Sequence, residues 1–292
     1  MSVANGPSDK LGNRLGFTFH RTFFLKRSAI KQVLELVESG SNQKGEKSKL
    51  LRRDIRDNSQ LGTIYVEAMP RWAWGIGLLT PTKAFTKFGK YAQVYDISME
   101  QLGTQWLMHY HLSAPHGPGP SFWHKVVSSQ LRSGENLSQE KIAHQISEIY
   151  LHEEGKPLSP KSATSTANVF IETYIQKEAL GNLGILEEIE KNCYQVQETE
   201  IPPTWAVAAA ILDYWQAHFP NQVTINLTSL TTDSGLASLF MISRSRLDMI
   251  LSEMREAGIV ELFRVAPPYQ VALLNGDPEP IFERMYQHEH SA

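Results

Sequence analysis

Four histidines, His109, His111, His116 and His124, fall close together and form the best candidate set of side chains for moving protons or holding a metal. Their spacing argues against both roles. Residues two apart lie on different sides of a helix, so His109 and His111 cannot grip one ion from a helical segment, and the helical i, i+4 pair of an HExxH motif does not occur. Rings packed against Trp106, Tyr110 and Trp123 are the expected outcome. His20, between Phe19 and Phe23, reads as a buried donor, and the HEH at 288–290 as tail. There is no P-loop and no GxSxG, and the GIG and GPGP stretches lack the strand-to-helix setting of a phosphate loop. Cys193 is the one cysteine, which excludes an internal disulfide or a Cys-based zinc finger, and it reads as a small, partly buried residue. These residues predict no catalysis, no metal and no cofactor.

Charge is more informative. The net charge of −3 hides a split. Residues 1–90 hold sixteen Lys and Arg against seven Asp and Glu, a balance of +9, and the rest of the chain holds twelve against twenty-four, a balance of −12. A basic segment joined to an acidic one suggests that the first meets a polyanion. The candidate contacts are Lys49, Arg52, Arg53, Arg56, Arg71, Lys83, Lys87 and Lys90 in the basic segment, with Arg244 and Arg246 further on. Trp72, Trp74, Trp205 and Trp215 read as core rather than as base-stacking platforms.

The elements that must position these residues follow from periodicity and punctuation. Chain length and a 41% hydrophobic content suit an ordinary globular protein of two or three domains. No window has eighteen uninterrupted apolar residues and the N-terminus has no signal-peptide run, so a cytoplasmic protein without a membrane partner is expected. In residues 1–95, Ile30, Val33, Leu34 and Val37 recur at helical spacing and Gly40 should end that helix. KLLRRDIRDN predicts a second helix and the stretch from Asn58 or Ser59 to about Ala68 a third, ended or kinked by Pro70. PTKAFTKFGKYAQVYDI predicts a basic two-stranded wing about Gly89. Residues 96–200 predict an acidic helical connecting bundle, opened by a Ser98–Gln101 capping box. Residues 201–292 repeat the order helix, strand, helix, turn, helix, hairpin and end in a short tail, with Ser243 capping the third helix. The predicted fold class is mainly α with small β-hairpins (α+β), two winged-helix-like domains joined by a helical bundle. Such a unit suits duplex DNA, one helix in the major groove and a wing on the flanking backbone.

GFTFHRTFFLKRSAIKQVLEL, TQWLMHYHLS, SFWHKV and NVFIETYIQ followed by LGNLGIL together resemble the bacterial DUF4007 family, a domain of unknown function, and with the C-terminal segment the resemblance spans about 15–274. Arg21 stands where the family usually has an acidic residue. The resemblance implies an accessory protein encoded beside DNA phosphorothioation and other anti-phage defence genes, with no established enzymatic activity. The leading expectation is a non-enzymatic DNA-binding accessory protein. The alternatives are a protein–protein adaptor, docking a defence ATPase or nuclease subunit or a second copy of itself, and a transcriptional regulator of its own operon.

Overall fold

The computed structural model describes residues 14–43, 55, 57, 62 and 65–288. Helix α1 (Arg27–Gln43) buries Ile30, Val33, Leu34 and Val37, the periodic set, and runs past Gly40 instead of ending there. Arg27 is buried at its start. One guanidinium nitrogen donates to the Met99 carbonyl at 2.6 Å and to Glu100 at 3.1 Å, the other to the Lys177 carbonyl at 2.6 Å. One of the basic residues therefore works as an internal tie. The predicted KLLRRDIRDN helix lies outside the described residues, apart from Ile55, which is buried, and Asp57.

Helix α2 (Tyr65–Gly75) continues through Pro70 and buries Val66, Ala68, Met69, Trp72 and Ala73. The Trp72 ring is fully buried, donates to the Phe23 carbonyl at 3.0 Å and meets Trp123 edge to face. The expected wing is not a hairpin. Residues 87–95 form helix α3 (Lys87–Tyr95), because the Thr86 hydroxyl accepts from the Gly89 amide at 2.8 Å and caps a helix start. Gly89 serves close packing, since a Cβ there would lie 1.9 Å from the Leu78 carbonyl oxygen. A single bridge, Leu79 to Phe85, is the β-pairing of this stretch among the described residues.

Helix α4 (Leu102–Ser113) is buried on nearly every side and carries Trp106, His109 and Tyr110 through the centre. Ser98 does not cap it; the Asp96 carboxylate accepts from the Glu100 and Gln101 amides at 2.8 and 2.9 Å. The Pro/Gly loop 114–120 leads to α5 (Ser121–Gln130), and α6 (Gln139–Glu154) packs on α7 (Pro160–Ile175). The region expected to be wholly helical also contains a three-stranded antiparallel sheet of β1 (Asn136–Ser138), β2 (Leu186–Glu190) and β3 (Cys193–Val196), in the order β1-β3-β2. Its charged LEEIE strand hides the alternation, and Asn192, in the left-handed region at φ 61°, makes the turn.

The C-terminal third follows its expected order. Helix α8 (Thr204–His218) precedes β4 (Thr224–Asn226), the short helices α9 (Leu227–Thr231) and α10 (Leu236–Leu239), and α11 (Arg244–Glu256). Strands β5 (Val260–Phe263) and β6 (Gln270–Leu273) pair as a hairpin, Val260 opposite Leu273 and Phe263 opposite Gln270, and β4 adds to β6 to give the order β4-β6-β5. Ser243 caps α11, accepting from the Arg246 amide at 3.1 Å. The expected tail is instead helix α12 (Glu279–His288), whose Ile281, Phe282, Met285 and Tyr286 are buried. One hydrophobic cluster runs through all of these elements.

Candidate nucleic-acid interface

Lys49, Arg52, Arg53 and Arg56 lie outside the described residues. Of the others, Arg71 and Lys83 come together from two elements. Val66, Glu67, Pro70, Arg71 and Trp74 make one strip of α2, and Thr80, Pro81 and Lys83 face it from the following turn, enclosing a groove of about 390 Å³. Lys83 reaches it because the turn is left-handed at that residue (φ 62°), closed by its amide on the Thr80 carbonyl at 2.8 Å. The one carboxylate in the lining, Glu67, pairs with Arg21 at 3.4 Å, so the groove carries a positive balance. Its floor is Val66, Pro70 and the half-buried Trp74. Sequence reading placed Trp74 in the core with Trp72; only the structure separates the buried ring from the one that lines a groove.

The remaining cations divide by their neighbours. Lys90 is exposed on α3, while Lys87 pairs with Asp277 at 3.4 Å. Glu279 and Glu283 of α12 also face that side of α3, and with burial they push the nearby Tyr91 hydroxyl above its ordinary range. Arg244 is exposed in the first turn of α11. Arg246, two residues on and round the other side of the helix, folds back to Glu253 at 3.2 Å and to the Thr204 hydroxyl at 2.7 Å. The sequence-derived set is therefore scattered, with Arg71 and Lys83 as its one shared feature among the described residues.

The four histidines of α4 and its neighbourhood also separate. His109 is buried between the Tyr174 hydroxyl and the Leu239 carbonyl, both at 2.9 Å, and burial lowers its pKa to about 4. His111 stacks on Phe88, and His124 bonds the Ser113 carbonyl at 2.8 Å. His116 alone meets an acid, Asp213, at 3.0 Å. His20 bonds Thr166 at 3.2 Å and is likewise pushed down to about 4 by burial. Tyr110 is one of the rings expected beside the histidines, but Asp213 and His218, which complete the surroundings of His116, were not singled out by sequence reading; no local signal links His116 to residues a hundred positions away.

The fold and the family converge. The chain matches the model of the family described as "Protein of unknown function (DUF4007)" over residues 17–279, and it belongs to that family. Among solved structures it is similar to a crystal structure of SspB, with a TM-score of 0.72 at 16% identity, covering 97% of this chain and 91% of that one. A magnesium ion-bound SspB crystal structure is similar at a TM-score of 0.70 and 16% identity, covering 94% of this chain and 88% of that one. No curated protein matches. Among the described residues of this chain, no three His, Cys, Asp or Glu side chains converge to hold a metal ion, and none of its helices is long and apolar enough to cross a membrane.

Proposed function

We propose that this protein is a non-enzymatic DNA-binding accessory factor of a bacterial defence or DNA-modification system of the phosphorothioation type. The observation that carries the reading is the groove in which Arg71 and Lys83 converge beside Trp74 while Arg21 neutralises Glu67. This groove lies in the segment with the +9 balance and adjoins, in the chain, the stretch that holds Lys49, Arg52, Arg53 and Arg56. Cations drawn from several elements hold a phosphate backbone without reading bases, and each neutralised phosphate adds about −0.9 to the log–log salt slope. Lys87 and Arg246 contribute less than Lys90 and Arg244 because each already has a carboxylate. Family membership and the likeness to SspB support the defence context.

Replacing Arg71 and Lys83 together with Ala tests the surface. Binding of labelled duplex should weaken on every sequence, with a salt slope flatter by about two units. An unchanged slope would remove the groove from the interface.

A second reading rests on a different feature. In the C-terminal third, whose order of elements we read as a winged helix, the hairpin tip exposes Phe263 and Tyr269, and Val265 is fully exposed. Apolar side chains at a wing tip favour contact with another protein over contact with phosphates, so this unit would be the adaptor surface, for an ATPase or nuclease subunit or a second copy. Loss of co-purification on replacing Val265 by Asp, with DNA affinity unchanged, would separate the two roles.

A further inference from the structure

A hydrogen-bonded chain of ionisable side chains joins the end of α8 to the Pro/Gly loop 114–120. His218 Nε2 lies 3.1 Å from His116 Nδ1, with the two rings perpendicular. His116 Nε2 lies 3.0 Å from Asp213 Oδ2, and the Tyr110 hydroxyl donates to the same oxygen at 2.9 Å. The loop is a junction: Arg14 donates to the carbonyls of Gly119 at 3.2 Å and Ala114 at 3.3 Å, and the Leu15 amide to that of Pro118 at 2.9 Å. Three parts of the chain meet there, the N-terminal segment, the α4–α5 connection and α8.

Proton counting shows what this geometry tolerates. Asp213 as carboxylate only accepts, so with both rings neutral His116 gives its Nε2 proton to Asp213 and its Nδ1 accepts the Nε2 proton of His218. With one added proton on His116, both of its nitrogens donate, and His218 turns a lone pair to it by changing tautomer. With two added protons, N–H faces N–H across 3.1 Å, and a single carboxylate offsets one of the two charges.

We propose that the His218–His116–Asp213 chain is an acid-operated latch, which holds α8 against the Pro/Gly loop while the two imidazoles carry no more than one added proton and releases it when both are protonated. The surroundings favour this. Facing the pair are His111 and Tyr110 from α4, His124 from α5, and Asp213 and Tyr214 from α8, with Arg14 and Lys125 acting on His124 from the N-terminal segment and α5. Asp213 is the carboxylate bonded to the pair among the described residues, while Asp233 acts on Tyr214. Burial, then the neighbouring His116, lowers the pKa of His218, the exposed member of the pair, while Asp213 opposes them. The latch is independent of the DNA-binding reading.

Hydrogen–deuterium exchange of the full chain at pH 7.5 and pH 5.0, corrected for intrinsic rates, tests it. Protection of amides in 114–120 and in the last turn of α8 should fall at least tenfold more at pH 5.0 in the natural chain than in His218→Gln, whose amide can donate to or accept from His116 and does not titrate, while α6 and α7 change alike in the two proteins. A latch segment equally protected at both pH values in the natural chain would overturn the proposal. So would the same acid loss in His218→Gln, or a difference between the two proteins as large in α6 and α7 as in the loop.

Discussion

Two stretches of this chain read as wings from the sequence, and one of them is a β-hairpin. Residues 260–273 form a hairpin because Val260, Leu262 and Val271 alternate toward the core and a turn separates the runs. Residues 81–95 carry a glycine in the right place and three lysines, but no alternation, and Thr86 turns that glycine into part of a capped helix start. Charge pattern and glycine position describe a surface, whereas inward alternation describes a strand. Among the described residues, Arg71 is displayed on α2 and Lys83 on a left-handed turn, and a groove between them takes the place of the expected wing.

The difference can be tested by its energetics. Trp72 is fully buried and hydrogen-bonded, while Trp205 is half-buried beneath Arg284, 5.1 Å from its ring. Trp72→Ala should cost about 3–5 kcal/mol in chemical denaturation, and Trp205→Ala less than half of that. Similar costs would contradict a core centred on Trp72.

Acid should expose the next largest effect. His20 and His109 are buried and neutral with pKa values of about 4, whereas unfolded histidine titrates near 6.5. Above about pH 6.5 neither state takes up a proton at these sites and stability is unaffected. As pH falls toward 4 the unfolded chain gains protons that the folded one refuses, and stability drops by up to about 3 kcal/mol per histidine. Urea midpoints at pH 7 and pH 5 measure this, and His109→Gln should flatten the dependence; a steeper fall in that variant would contradict it.

Gly89→Ala separates helix from wing more sharply. The added methyl meets the Leu78 carbonyl and should destabilise by about 1–3 kcal/mol, where a hairpin glycine with space around it would give a smaller loss. The smallest effects are the caps. Thr86→Ala and Ser243→Ala should each cost about 1 kcal/mol, equal values in two regions of opposite charge.

The helices with strong apolar spacing were legible, as was the order of elements from α8 to β6, although the one helix expected over 228–240 is the two short helices α9 and α10, with Gly235 in the left-handed region between them. What was not legible depended on partners distant in sequence or on capping detail. Strands β2 and β3 pair through a charged, mostly exposed LEEIE segment that has no visible alternation. Asp96, not Ser98, satisfies the amides ahead of α4. The candidate site was half legible: basic residue types marked the segment, but Lys87 and Arg246 are taken by Asp277 and Glu253, which no local pattern announced. Trp74 was concealed by its resemblance to Trp72, since two tryptophans two residues apart on a helix differ only in the side they face.

Whether the basic segment holds duplex DNA through phosphates is decided by fluorescence anisotropy of labelled duplex across a series of salt concentrations. Contacts from Arg52, Arg53, Arg56, Arg71, Lys83 and Lys90 predict a log–log slope of about −5, with affinity nearly independent of sequence. No binding at low salt, or binding indifferent to salt, would contradict the account.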